Sequence, residues 1–247
     1  MRFLTLLFVL ALARPAFAQT PTASPSDFWT KQLAYARVQA AYARCWPALA
    51  AQLRTRHLSP ARLEVFFRLI KTSRALEVWA RNQGEVAFQL LRTYPLAATS
   101  GTLGPKRRAG DEQVPEGFYT IDRFNPQSAF HLSLGLDYPT PDDILAAGVA
   151  DPGGDIFLHG SNVTVGCLPI TDAGIEEVYL LAVAARAAGQ ARIVVHIFPF
   201  PLVNSELNQR ATSPHAAFWR GLAPGYAYFE QHRALPPQYA TPAPATR

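Results

Sequence analysis

Apolar and polar residues change their period along the chain, and the changes divide it. From Asp27 to about Arg56, Phe28, Leu33, Ala36, Ala40, Ala43 and Ala51 form a loose helical stripe that Asp27 can cap. Pro47 falls inside the stripe and predicts a kink or split, because it brings no N–H and crowds the turn before it. Ser59-Pro60 opens a new segment, and Leu63 to Ile70 fits a strand and a helix equally. From Arg74 the period is two: Leu76, Val78 and Ala80 alternate with Glu77, Trp79 and Arg81. Asn82-Gln83-Gly84 turns the chain, and Glu85 to Tyr94 returns it as a hairpin. Thr99 to Glu116 is rich in glycine, proline and charge and reads as a long loop. Phe118–Ile121, Ala129–Leu134 and Asp155–His159 follow as strands.

A helix comes next. Thr171 and Asp172 can cap it, Glu176 and Glu177 sit near its positive end, and Ile175, Val178, Tyr179, Ala182 and Ala185 form its apolar face up to Gly189. Arg192–Phe198 is a β-branched strand closed by Pro199. Residues from about Ser205 to Tyr228 read as helix broken at Pro214, and the Pro-rich tail after Leu235 reads as unstructured. The sum is an α+β chain, with an antiparallel-looking β core and helices at both ends.

The start of the chain reads differently. Met1-Arg2 is a short positive start, Phe3–Ala13 is apolar but too short to span a bilayer comfortably, and Ala16-Phe17-Ala18 offers small residues for cleavage before Gln19. The expectation is a secretory signal over residues 1–18 and an exported protein with no integral membrane segment after cleavage. The formal charge of +5 falls to +3 when Arg2 and Arg14 leave with that segment. The remaining basic residues are scattered, which gives no support to nucleic-acid binding. With 49% hydrophobic and 17% charged residues, the middle of the chain can bury an ordinary core. Its two cysteines, Cys45 and Cys167, could pair in an oxidising compartment.

The chemistry is concentrated in Asp155–Tyr179, DIFLHGSNVTVGCLPITDAGIEEVY. His159 ends an apolar strand beside Gly160, and Cys167 follows a short loop and Gly166. A fold-back of that loop would set imidazole beside thiol. A thiol needs such a base, because the thiolate is the nucleophile and the free thiol is mostly protonated at neutral pH. Glycine before the cysteine leaves the N–H groups of Gly166 and Cys167 open to hold an oxyanion, a donor being worth on the order of 3 kcal/mol. A zinc site built from His159, Cys167 and His131 lacks a fourth ligand and paired spacing, and no metal or other cofactor is implied. His196 alternates with Val194 and Phe198 on a buried strand and reads as structural.

The pattern HGS…GC before a capped helix resembles the YkuD-type L,D-transpeptidases, which carry a strand-borne HG pair and a [Ser/Thr]-His-Gly-Cys turn. GPK (Gly104–Lys106), GD (Gly110-Asp111), QVPEGFY (Gln113–Tyr119), NPQSAFHLSLGLDYP (Asn125–Pro139) and GCLPITDAGIEEVY (Gly166–Tyr179) look like the YafK-like branch of that family. The resemblance covers roughly residues 60–205. It implies a mainly β catalytic core, a YkuD-like β-sandwich, over residues 73–205. A helical segment at 19–72 would precede it, and a helical extension with the Pro-rich tail at 206–247 would follow.

By the same resemblance Cys167 is the nucleophile, His159 the base, Gly160 the residue whose carbonyl orients the imidazole, and Gly166 the glycine of the turn. Val165 stands where the family has its second histidine, with Thr164 as the Ser/Thr neighbour. Leu168 and Pro169 stand where an arginine is common. His131, Ser161, Thr164 and Lys106 are candidate substrate-binding residues. The implied partner is a peptidoglycan stem peptide, with or without a wall-anchored protein attached, and the implied place is the periplasm or cell wall. The implied reaction passes through a thioester at the diamino acid, resolved by an amine (transpeptidase) or by water (amidase). The branch includes such an amidase, which favours hydrolysis. An inactive wall-binding scaffold of the same fold is the alternative.

Overall fold

In a computed structural model, which describes residues 25–237, the chain folds around one mixed eight-stranded sheet of order β3-β2-β1-β8-β4-β5-β6-β7. The strands are β1 Leu63–Ile70, β2 Ala75–Asn82, β3 Gln89–Pro95, β4 Gly117–Asn125, β5 Ser133–Leu136, β6 Phe157–His159, β7 Leu168–Pro169 and β8 Ile193–Phe198. The helices are α1 Pro25–Leu33, α2 Ala36–Thr55, α3 Pro141–Ala147, α4 Thr171–Ala187, α5 Asn204–Gln209 and α6 Ala216–His232. Residues 1–18, expected to be a secretory signal, and the end of the Pro-rich tail lie outside the described residues.

The ambiguity of Leu63–Ile70 has a physical cause. β1 is covered on both faces, so no polar face marks its period. Val65, Phe67 and Leu69 pack into the cluster that holds α2 and α4, while Phe66 meets Phe229 of α6. β8 is buried along its whole length and lies between β1 and β4. On it His196 is fully buried among the rings of Phe66, Phe118 and Phe198, and burial holds its imidazole down to about 3, in the neutral form.

Three expectations are corrected. The core is not antiparallel throughout, since β1 runs parallel to β8, and β6 parallel to β7. The first helix breaks at Ala34-Tyr35, where Tyr35 is extended, and Pro47 sits inside α2. Pro47 and Ala43, whose carbonyl it leaves without a helical donor, both face solvent, and water can satisfy that carbonyl. Ala129–Leu134 is not one strand, because β5 begins at Ser133 and the residues before it form a turn. Helix α3 was missed, although its start is written in Thr140-Pro141-Asp142-Asp143. Thr140 and Asp143 form a reciprocal capping box around a proline in the first turn.

Helix α4 lies against one face of the sheet with Ile175, Val178, Tyr179, Leu181 and Ala182 fully buried, each large apolar side chain stabilising by about 1.5–3 kcal/mol. Thr171 caps it as expected, its hydroxyl accepting from the Gly174 N–H at 3.2 Å. On the other face a buried carboxylate ties α6 to the long loop. Glu116 accepts from Lys71 Nζ at 2.8 Å, from the Gly104 N–H at 2.7 Å and from Trp219 Nε1 at 2.8 Å. Replacing Glu116 with Ala takes this acceptor from the buried Gly104 N–H and Trp219 Nε1 and removes the counter-charge of Lys71, which keeps three carbonyl acceptors. The expected loss is about 3–5 kcal/mol, read as a fall of about 10 °C or more in the thermal midpoint; an unchanged midpoint would show that the tie carries no stability.

Candidate active site

Strands β6 and β7 run parallel, with Leu158 opposite Leu168 and His159 opposite Pro169. Leu158 and Leu168 point into the core. One step back along the same register sets Cys167 level with Phe157, on the opposite face from the two leucines. Phe157, His159 and Cys167 therefore share one face. Neighbouring strands lie about 4.8 Å apart and rise about 3.3 Å per residue, which sets the backbones of Cys167 and His159 about 8 Å apart, within joint reach of a thiol and an imidazole. Both side chains line a cleft of about 430 Å³, with Asn125, Ser128, Phe130, Ser133 and Asp155 around them.

His159 is buried, and its Nδ1 lies 2.6 Å from the Gly160 carbonyl. A carbonyl only accepts, so Nδ1 carries the proton and Nε2 keeps its lone pair. The ring of Phe130 covers the imidazole, centroid to centroid 4.7 Å. Burial pushes the His159 pKa below the usual histidine value, and the Gly160 bond opposes this more weakly. The Cys167 thiol lies 3.5 Å from the Asp155 carbonyl, to which it donates, and accepts from the Phe157 N–H at 3.4 Å. Burial pushes its pKa up, and the Asp155 carboxylate adds to that. The Phe157 N–H and the charge of Lys106 pull it down.

The glycines of the two motifs are forced by space and by torsion. A β-carbon on Gly160 would lie 2.5 Å from Asp172 Oδ1 and 2.8 Å from the Phe130 carbonyl. Gly166 has φ +93°, a conformation L side chains rarely adopt. The expectation that both turn N–H groups stand open is corrected: that of Gly166 donates to Ser100 Oγ at 2.7 Å. Ser100 lies in the long loop, and nothing local in the sequence singles it out.

The candidate substrate residues surround the cleft without lining it. His131 is not on a strand face; it sits in the turn before β5 with φ +72°, and its Nε2 meets Glu176 Oε1 at 2.7 Å. Ser161, at φ +64°, donates its N–H to Asp172 Oδ1 at 2.7 Å. Thr164 donates its hydroxyl to the Cys167 carbonyl at 2.7 Å and shapes the turn. Lys106 is buried against Asp111 Oδ1 at 2.7 Å and the Arg108 carbonyl at 2.8 Å. Left-handed His131 and Ser161, with Thr171 at φ +68°, store about 1–3 kcal/mol each close to His159. The residues that do line the cleft were quoted in the sequence only as parts of motifs. Phe130, Ser133 and Phe157 lie one or two positions from His131 and His159, and a strand drawn over Ala129–Leu134 sets His131 and Ser133 on one face and Phe130 on the other.

Both cysteines are free, and the Cys45 thiol is pushed up to about 11 by burial and by Glu176 beside it. Among the described residues no His, Cys, Asp and Glu group could hold a metal ion, and no helix is long and apolar enough to cross a membrane.

Residues 67–195 match the L,D-transpeptidase catalytic domain family, YkuD. The "Putative L,D-transpeptidase YafK" of Escherichia coli K12 is 35% identical over 174 residues, which are 70% of this chain and 69% of that protein. Two solved structures align at lower identity. One is a point mutant of the helical cell shape determining protein Pgp2 of Campylobacter jejuni, at 21% identity and TM-score 0.44, covering 56% of this chain and 48% of that one. The other is Bd1075 of Bdellovibrio bacteriovorus, at 19% identity and TM-score 0.41, covering 70% and 59%. The match thus spans about half the length of that mutant Pgp2 chain. The extent of the domain match, joined to the identity with YafK, establishes that this chain belongs to the YkuD family of L,D-transpeptidase catalytic domains.

Proposed function

We propose that the protein is an exported cysteine enzyme acting on peptidoglycan stem peptides, with Cys167 as nucleophile and His159 as its base. The observation that carries this reading is the shared face of Cys167 and His159 in one cleft, with Nδ1 of His159 held by Gly160 so that Nε2 is free to accept a proton. The leader-like pattern of residues 1–18 supports export to the periplasm or cell wall.

In the proposed mechanism the Cys167 proton passes to Nε2 as sulfur attacks the carbonyl of the diamino acid. The tetrahedral oxyanion takes the Cys167 N–H. The C–N bond breaks, the imidazolium returns its proton to the leaving amine, and a thioester remains. Water, deprotonated by His159, then adds to the thioester; the C–S bond breaks, the imidazolium returns its proton to the Cys167 sulfur, and the free acid leaves. An amine in place of water would give a cross-link or an attached protein. We favour the hydrolytic outcome, because the YafK-like branch that the motifs resemble includes an amidase. His131, Ser161, Thr164 and Lys106 act on substrate indirectly, through the walls they hold.

The test is incubation of the purified chain lacking residues 1–18 with cell-wall sacculi, with fragments read by mass spectrometry. Release of peptide or protein is expected, and new diamino-acid cross-links would instead identify a transpeptidase. Cys167→Ala should lower either activity by at least about 1,000-fold, and His159→Gln by about 100-fold to 10,000-fold. Sacculi bound but unchanged by the wild-type protein would leave only the scaffold.

The pH dependence follows from the two shifts. Lowered His159 is neutral at pH 7 and can accept a proton, so kcat/KM should fall on acidification only below the usual histidine value of about 6.5. Raised Cys167 is protonated at neutral pH, so iodoacetamide labelling of Cys167 should keep rising with pH beyond the usual thiol value of about 8.5. A labelling plateau near pH 7 would mean a preformed thiolate and contradict the neutral pair.

A further inference from the structure

Arg37 lies on α2, outside residues 67–195 and away from the cleft lining. Its guanidinium donates to the Ser128 carbonyl at 2.7 Å and to the His131 carbonyl. Both bonds come from one nitrogen, Nη1, and those two carbonyls bracket Ala129 and Phe130, so a single charged donor group holds both ends of the turn. The same turn reaches the base in two ways. The Phe130 ring covers the imidazole, and the Phe130 carbonyl accepts the Gly160 N–H at 3.0 Å, while the Gly160 carbonyl holds Nδ1 of His159 at 2.6 Å. The far end of the turn is pinned by His131 on Glu176, and Glu176 accepts two bonds from Arg44 of α2, at 3.0 Å and 2.6 Å. Helix α2 thus grips the turn directly through Arg37 and indirectly through Arg44.

This grip is separate from what anchors the helix. α2 buries Val38, Ala41, Leu49 and Leu53, whereas Arg37 itself is exposed. Removing an exposed side chain from a helix anchored this way leaves the fold intact. What it removes is the hold on a turn whose last residue is left-handed.

We propose that Arg37 is a positioning residue for His159, fixing the Ser128–His131 turn so that Phe130 covers the imidazole and Gly160 keeps its carbonyl on Nδ1. The proposal rests on the reading of Cys167 and His159 as the catalytic pair. It makes the N-terminal helical segment a working part of the site.

The experiment compares wild type, Arg37→Ala and Arg37→Lys as full chains. Three readouts are taken: the His159 titration by NMR, assigned with His159→Gln, the kcat and KM for release from sacculi, and the thermal midpoint. In Arg37→Ala the imidazole loses its cover, so its titration should move up towards the usual histidine value. The kcat should fall about tenfold to a hundredfold, the scale of a small misplacement of a catalytic group. KM and the midpoint should stay near wild type. Arg37→Lys, which keeps a charged donor on a shorter side chain, should recover part of kcat. An unmoved titration overturns the proposal, and so does a moved titration with wild-type kcat. A fall in kcat that only follows a lowered midpoint in both variants overturns it as well. The titration reports positioning whether or not His159 is catalytic. Full activity in His159→Gln would remove the catalytic pair itself, and the proposal with it.

Discussion

The site depends on Gly160 having no side chain. Its α-carbon sits where Asp172, Phe130 and His131 converge, and any β-carbon would meet an oxygen at 2.5 Å. With that space empty, both polar groups of one residue are in use. The N–H is shared between the Phe130 and Leu132 carbonyls, at 3.0 and 3.2 Å, and the carbonyl fixes the proton of His159 on Nδ1. The tautomer of His159, the position of its aromatic cover and the approach of α4 through Asp172 are consequences of one close contact. A methyl group there would push the three apart together, because interiors packed this tightly transmit a displacement instead of absorbing it.

That packing also sets the electrostatics. Burial disfavours charge on both partners, raising Cys167 and lowering His159. With ordinary values, proton transfer from thiol to imidazole is already about 3 kcal/mol uphill, and burial widens the gap. A resting ion pair is thereby disfavoured, so in the proposed mechanism transfer is coupled to bond formation. Developing charge on the substrate oxygen, met by backbone N–H groups, offsets what the dry site denies to the thiolate. The thiol's own contacts agree with this state. It donates to the Asp155 carbonyl, which only a protonated sulfur can do.

Local chemistry was legible in the sequence, and long-range chemistry was not. The hairpin around Asn82-Gln83-Gly84, strand β8, the cap at Thr171 and the end of α4 near Gly189 follow from period and from capping residues, which act over a few positions. His159, Gly160, Gly166 and Cys167 were found because they lie within one short segment. The parallel pairing of β1 with β8 joins residues far apart in sequence, and burial on both faces erases the alternation that would mark such strands. His131 illustrates the same limit. Its neighbours alternate as a strand would, yet a left-handed turn, held by Arg37 and Glu176 from two distant helices, overrides the pattern. Ser100 on Gly166 is another contact between segments that no local signal announces.

Val165 shows how the turn keeps its shape without the family's second histidine. Its side chain is exposed, and it lines no part of the cleft. The turn is instead shaped by Thr164 on the Cys167 carbonyl and by Ser100 on the Gly166 N–H, with Gly166 supplying the left-handed step between them. Those bonds fix the backbone that presents Cys167 without any imidazole on the turn. His159 is the one histidine among the residues lining the cleft. The contacts that hold that imidazole extend through Phe130 and Arg37 to a helix outside the matched domain.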